Sequence, residues 1–133
     1  LLAIPKTRKT GYAAVFSLIF GAIVTNLLLK NIVARPRPFA EIEALIPLIA
    51  KPTDFSFPSG HTTASFAVAL VMFRMLPKKI GIPAVVLAAL VAFSRLYLGV
   101  HYPTDVLVGF VVALVGSLLA VWIVRMKLGN IKR

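Results

Sequence analysis

Four long apolar runs dominate this chain of 133 residues and restrict what it can fold into. They are Tyr12–Leu29, Thr62–Leu76, Ile80–Phe93 and Val106–Val124. A helix that crosses a bilayer needs about 20 residues. The first and last runs reach this length by themselves, and the middle two reach it when the polar residues at their ends are included. The mean hydropathy of +0.94 excludes an ordinary soluble globule. The pattern predicts an all-α transmembrane helical bundle with four spans, at about 11–34, 59–76, 80–98 and 104–126.

The net charge of +11 is distributed unevenly along the sequence. If the four helices alternate in direction, most lysines and arginines fall on the side that holds both termini, and all acidic residues fall on the other side. Cations accumulate in cytoplasmic loops. Both termini are therefore expected in the cytoplasm, with the loop 30–59 and the turn 95–104 outside. The basic ends are expected to contact anionic membrane lipids, and no nucleic acid partner is predicted.

The chain is expected to form one membrane-embedded domain over residues 1–133. It has no cysteine, which excludes disulfides and thiolate metal sites. The first apolar run is long and lacks a small-residue cleavage site, so we expect a span rather than a signal peptide.

The loop 39–57 is expected to carry a short amphipathic segment, interrupted at Pro47. Close helix packing is predicted at small residues spaced by four: Ser17, Gly21 and Thr25, and Gly109, Ala113 and Ser117.

Three polar stretches lie at the helix ends that the predicted topology brings to the outer face. His101 precedes Asp105 by four residues at a helix start. The carboxylate could hold one ring nitrogen and leave the other as a nucleophile or base. The alternative is a helix cap whose acid compensates the helix dipole. His61 follows a predicted N-cap, Ser59, where free backbone N–H groups bind anions and favour a protonated general acid; the alternative here is an ordinary cap.

Lys30, Arg37 and Arg95 supply cations at the same face. With Asp105 assigned to His101, an external anion is the expected partner, and guanidinium groups match phosphate oxygens. The alternative for Lys30 is snorkelling to lipid headgroups, and for Arg35 this is the expectation. Together the residues predict a phosphoryl-transfer site without a metal or other cofactor.

The ordered motifs Lys30-x6-Arg37-Pro38, Pro58-Ser59-Gly60-His61 and Ser94-Arg95-x5-His101-x3-Asp105 resemble the three signatures of the type 2 phosphatidic acid phosphatase superfamily. The resemblance covers residues 30–105, and no motif position departs. It implies a metal-independent mechanism with His101 as nucleophile, Asp105 as its orienting acid and His61 as general acid. It also implies that phosphate is held by Lys30, Arg37, Ser59, Gly60 and Arg95. Membrane members usually have six spans, so this chain is expected to contain the last four.

The resemblance predicts an integral membrane lipid phosphatase of a bacterial plasma membrane, with its site on the extracytoplasmic face. Its expected substrate is a lipid mono- or diphosphate ester. Undecaprenyl diphosphate is favoured on family frequency over phosphatidylglycerophosphate or phosphatidate. One alternative is a non-catalytic membrane module that binds anionic lipid. Another is a vanadate-dependent haloperoxidase-like protein, although the apolar spans argue against the soluble relatives.

Overall fold

The computed structural model describes residues 1–129, which form helices and no strand. After a 3-10 turn at Pro5–Thr7, α1 (Arg8–Ala22) continues through a π-helical segment (Ile23–Leu29) into α2 (Lys30–Val33). The remaining helices are α3 (Pro38–Glu41), α4 (Gly60–Met75), α5 (Lys78–Tyr97) and α6 (Pro103–Gly129). The all-α prediction is confirmed.

Three helical stretches are long and apolar enough to cross a membrane: Pro5–Glu41, Lys78–Tyr97 and Pro103–Lys127. The prediction of four spans is thus supported for three. The fourth candidate, α4, has 16 residues and is about 24 Å long at 1.5 Å per residue, less than the roughly 30 Å of a bilayer core.

Helix α4 lies at the centre of the bundle, in contact with α1, α5 and α6. Its inward positions are small or aliphatic, and Ala67 and Val71 are fully buried. Phe66 packs edge-to-face on Phe110 of α6, with ring centroids 4.9 Å apart. Large apolar side chains such as Leu90 and Trp122 point outward. An apolar exterior around a small-residue interior is the arrangement expected of helices in lipid.

The predicted small-residue stripes lie where helices approach closely. Ser17, Thr25, Ala113 and Ser117 are buried. A Cβ on Gly109 would lie 2.8 Å from the Ser59 carbonyl oxygen. Because no side chain fits there, the start of α4 can rest directly on α6.

Local sequence explains where two helices start, and the predicted N-cap at Ser59 is confirmed. Pro103 is the first residue of α6, and Ser59 caps α4 by accepting a hydrogen bond from the Thr62 N–H. The long loop departs from expectation, because its helical part is confined to α3 and only turns and bends follow to Ser59. Backbone bonds attach this loop to the bundle, among them Ser56 N–H to the Arg35 carbonyl at 2.9 Å.

Candidate active site

A cavity of about 380 Å³ opens at the end of the bundle where α2, α4 and α5 meet the long loop. Side chains from all three polar stretches line it, as the predicted topology requires. The polar and charged residues of its lining are Asn26, Lys30, Arg37, Asp54, His61, Arg95 and His101.

His101 is the most enclosed titratable group that lines this cavity, with its side chain 3% exposed. Its Nε2 lies 3.3 Å from Nη1 of Arg37. A guanidinium can only donate, so Nε2 accepts and the ring proton belongs on Nδ1. That Nδ1 lies 3.4 Å from Oδ2 of Asp105. This is a close approach rather than a hydrogen bond, and Nδ1 has no hydrogen-bond partner among the described residues.

The Asp105 carboxylate is fully buried and held by three donors other than His101. Oδ2 accepts hydrogen bonds from the Ser56 hydroxyl and the Tyr102 backbone N–H. Oδ1 accepts from Nη1 of Arg35 at 3.0 Å. The carboxylate therefore stays beside His101 without depending on the imidazole to hold it.

The expectation that Arg35 anchors the chain to lipid is wrong. Its guanidinium also donates to Thr104 Oγ1 at 2.7 Å, and it stacks over the Tyr102 ring, 3.8 Å from the centroid. With its side chain 33% exposed, Arg35 fixes the carboxylate of Asp105 and the start of α6 instead.

Lys30 and Arg37 do not lack an acidic partner, contrary to expectation. The Asp54 carboxylate pairs with Lys30 Nζ and with Nη2 of Arg37, the latter at 2.6 Å. Arg37 also donates to the backbone carbonyls of Asp54 and Val100, at 2.9 and 2.8 Å. Burial alone would raise the pKa of Asp54, but hydrogen bonds from the two cations lower it to about 2.

Arg95 and His61 are freer than the other cavity residues. Arg95 donates only to the neighbouring Ser94 hydroxyl, at 3.1 Å through Nε and Nη2. Within residues 1–129 it pairs with no carboxylate. The exposed His61 ring has no hydrogen-bond partner in that part of the chain. Both side chains are available to a molecule entering the cavity.

Ser59 lies behind the cavity rather than on its wall. Its side chain is fully buried, and its Oγ accepts from the Thr62 hydroxyl at 3.0 Å. Its backbone N–H donates to the Asp105 carbonyl at 3.0 Å. In this structure the Ser59 hydroxyl contacts Thr62 and does not line the cavity, so its predicted phosphate contact stays a prediction. Ser59 instead positions Gly60 and His61, whose backbone N–H groups begin the helix and need an acceptor.

The sequence profile of the PAP2 superfamily matches residues 11–128, which is nearly the whole chain. The chain belongs to the PAP2 superfamily. The resemblance inferred from the three motifs is thereby confirmed.

Several PAP2 proteins of known name are similar to this chain. An undecaprenyl-diphosphatase of Sulfolobus acidocaldarius is 38% identical over 92% of this chain and 59% of its own length. Undecaprenyl-diphosphatase BcrC of Bacillus subtilis is 44% identical over 70% of this chain and 47% of its own length. Phosphatidylglycerophosphatase B of B. subtilis is 41% identical over 77% of this chain and 53% of its own length. The chain therefore spans about half the length of these relatives.

Two crystal structures share the fold. LpxE of Aquifex aeolicus has a TM-score of 0.79 and 26% identity, over 86% of this chain and 68% of its own. A transmembrane PAP2-type phosphatidylglycerolphosphate phosphatase of B. subtilis has a TM-score of 0.68 and 34% identity, over 99% of this chain and 65% of its own. The helical arrangement is thus that of membrane PAP2 phosphatases.

Three residues at or beside the cavity lie outside the PAP2 motifs and were not predicted as part of the site. Asp54 and Ser56 belong to the long loop, and Asn26 lies in the first apolar run. Asn26 carried a visible signal, a polar side chain one helical turn before Lys30. For the loop residues, the only hint was their closeness to the Pro58–His61 motif.

Proposed function

We propose that this PAP2 protein is an integral membrane phosphatase that cleaves a lipid phosphate or diphosphate ester through a phosphohistidine at His101. The observation that carries the proposal is the setting of the imidazole. Its Nε2 accepts from Arg37 at the cavity wall, while its Nδ1 faces the buried carboxylate of Asp105. When a phosphate enters, Arg37 can transfer its hydrogen bond from Nε2 to a phosphoryl oxygen, which frees the Nε2 lone pair for attack. The ring can share the charge it gains with Asp105.

In the first step, the Nε2 lone pair of His101 forms a bond to phosphorus as the bond to the leaving oxygen breaks. His61, opposite in the cavity, donates a proton to that oxygen. In the second step, His61 takes a proton from water, whose oxygen attacks phosphorus. The N–P bond then breaks, and inorganic phosphate leaves.

Lys30, Arg37 and Arg95 stabilise the charge on the phosphoryl oxygens during both steps, together with the N–H groups of Gly60 and His61. None of these groups has to move far, because Lys30 and Arg37 are already buried around the cavity. Asp105 acts as a positioning residue for His101. This assignment needs no metal ion, since protein cations supply the electrostatic stabilisation.

A polyprenyl diphosphate such as undecaprenyl diphosphate is the substrate we favour. The names of two of the similar proteins, in S. acidocaldarius and B. subtilis, support this choice. The apolar exterior of the bundle would let a lipid tail remain in the membrane while its phosphate enters the cavity. The uneven distribution of cations supports an extracytoplasmic site with both termini in the cytoplasm.

Phosphate release from undecaprenyl diphosphate, phosphatidylglycerophosphate and phosphatidate, measured in detergent with excess EDTA, tests the proposal. We expect turnover of at least one substrate, fastest with the diphosphate. His101→Ala should abolish turnover, whereas the control Lys79→Gln, on the opposite end of the bundle, should not alter it. Rapid quenching with a ³²P-labelled substrate should trap an acid-labile, base-stable phosphoprotein in the unaltered protein and none in His101→Ala.

Strict dependence on Mg²⁺ or Zn²⁺ would overturn the mechanism. Binding of anionic lipid without turnover, unchanged in His101→Ala, would instead support the non-catalytic membrane module. Vanadate should inhibit by occupying the phosphate site, and halide oxidation on its addition would favour the haloperoxidase alternative.

A further inference from the structure

The carboxylate of Asp54 occupies the place in the cavity that a substrate phosphate needs. It contacts Lys30 Nζ and Arg37 Nη2, the two buried cations that line the cavity together with His101. Any anion that binds both cations must first take them from Asp54. The PAP2 motifs do not include this residue, which belongs to the long loop before Ser59.

Asp54 can leave this place more easily than its partners can. Its side chain is 53% exposed, whereas those of Lys30 and Arg37 are 10% and 6% exposed. The two cations are fixed behind the carboxylate, which lies at the cavity mouth on a segment without helix or strand. Turning the carboxylate out to water completes its hydration, and its cost is the loss of two ion pairs. An incoming anion offsets that cost, because the two buried cations remain in place to pair with it.

The charges of the cavity determine which anion can displace Asp54. Lys30, Arg37 and Arg95 face a single carboxylate, so two positive charges remain uncompensated while Asp54 is in place. A terminal phosphate carries about 1.5 to 2 negative charges near neutral pH. A phosphodiester carries one, the same as Asp54. A diester that replaced Asp54 would gain little, whereas a terminal phosphate would neutralise nearly twice as much charge.

We propose that Asp54 determines substrate specificity as an internal anion that terminal phosphates displace and phosphodiesters do not. This would keep the cavity free of the diester headgroups of bulk phospholipid, which surround a membrane enzyme at high concentration. An occupant of this kind multiplies the apparent affinity of every ligand by the fraction of time that the site is free. The terminal phosphate still binds after this loss, whereas the diester, which binds more weakly, no longer occupies the cavity. The inference rests on the proposed function, since it assigns the cavity to phosphate.

Equilibrium binding to the purified full chain tests the inference without requiring turnover. Dihexanoyl phosphatidylglycerol serves as the diester probe and inorganic phosphate as the terminal-phosphate probe. We expect Asp54→Asn to lower the Kd of the diester by about tenfold or more, the equivalent of one charge-assisted hydrogen bond. The Kd of inorganic phosphate should fall by a similar factor, because both ligands compete with the same carboxylate, and the diester should then bind in a range that the unaltered protein excludes.

Glu43→Gln is the matched control, because it removes the same charge from an exposed position of the same loop. It should leave both Kd values unchanged, which separates local displacement from a general change in field. Asp54→Glu retains the carboxylate and should keep the Kd of the diester close to that of the unaltered protein. Asp54→Ser gives a second test of the lost charge if Asp54→Asn does not fold.

Unchanged or weaker diester binding in Asp54→Asn and Asp54→Ser would overturn the inference, since Asp54 would then only arrange Lys30 and Arg37. This failure differs from failure of the proposed function. In that case the unaltered protein would bind phosphate but release none from any lipid, and the comparison of Kd values would still decide the role of Asp54.

Discussion

Arg35 donates a hydrogen bond to Asp105 across 70 positions of sequence, with Nη1 3.0 Å from Oδ1. The pair joins the segment after α2 to the first turn of α6. Arg35 also acts close to His101, because Asp105 lies beside that imidazole. A residue outside the PAP2 motifs thus controls the charge environment of a motif residue.

Replacing Arg35 by Ala should lower both stability and turnover. The buried Asp105 carboxylate would lose the one arginine partner it has within residues 1–129, which we expect to cost about 1–3 kcal/mol of unfolding free energy. Arg35→Lys keeps the charge but loses the stacking on Tyr102. Its stability and turnover should lie between those of the unaltered protein and of Arg35→Ala. Thermal unfolding in detergent and kcat measure the effects. Wild-type values for Arg35→Ala would restore the lipid-anchor hypothesis.

Ser56→Ala tests the second donor to Asp105. The hydroxyl of Ser56 is fully buried and donates to Oδ2, the oxygen nearest His101. Its loss should cost about 1 kcal/mol of stability and lower kcat more than it raises KM, because the nucleophile would be less well oriented. Thr53→Ala, exposed on the same loop, is the control. Equal kinetics in the two variants would show that Ser56 does not support the site.

The sequence was sufficient to predict features with a local pattern. Apolar runs located the helices, Ser59 and Pro103 marked two helix starts, and alternation of the spans brought the motifs to one end. Each of these depends on a residue and its near neighbours. Helix α4, at Gly60–Met75, also matches the predicted 59–76, but its length falls short of the bilayer core, so three of the four predicted spans are supported.

The ion pairs between the long loop and distant residues could not be predicted from the sequence. Asp54 meets Lys30 across 24 positions and Arg37 across 17, in a segment without periodicity. Nothing local distinguished Asp54 from the exposed Glu43, and the motif that singled out Arg37 gave no partner for Arg35. The partner of each charge was decided by how the loop folds back over α2 and the start of α6, which is a tertiary effect.

Gly109→Ala should disturb the site by displacing the start of α4, which packs on Gly109. The added Cβ would lie 2.8 Å from the Ser59 carbonyl oxygen, a backbone atom that cannot rotate away. We expect a loss of about 1–3 kcal/mol in stability and reduced turnover, because the start of α4 carries Gly60 and His61. In Gly116→Ala the nearest atom belongs to the Phe20 ring, which can move. Gly116→Ala should therefore cause smaller losses than Gly109→Ala, both in thermal stability and in kcat.

The contribution of Asp54 to the stability of the fold should change with pH only at acidic pH. Its pKa is lowered from 3.8 to about 2 in the folded protein. A lowered pKa stabilises the fold above the unfolded-state value and loses this effect as pH falls through the folded one. The difference in Tm between the unaltered protein and Asp54→Asn should be constant from about pH 5 to 8 and shrink between about pH 4 and 2. A difference that varies near pH 7 would contradict this assignment.

The orientation of the bundle can be measured by labelling single cysteines, because the chain has none of its own. Glu43→Cys places a thiol on the loop beside the cavity, and Lys79→Cys places one at the opposite end, at the start of α5. With an extracytoplasmic site, a membrane-impermeant maleimide should label position 43 in intact cells and position 79 only after lysis. Both positions are exposed, so a missing signal in intact cells reports sidedness and not burial. The reverse pattern would place the cavity in the cytoplasm and exclude substrates confined to the outer leaflet.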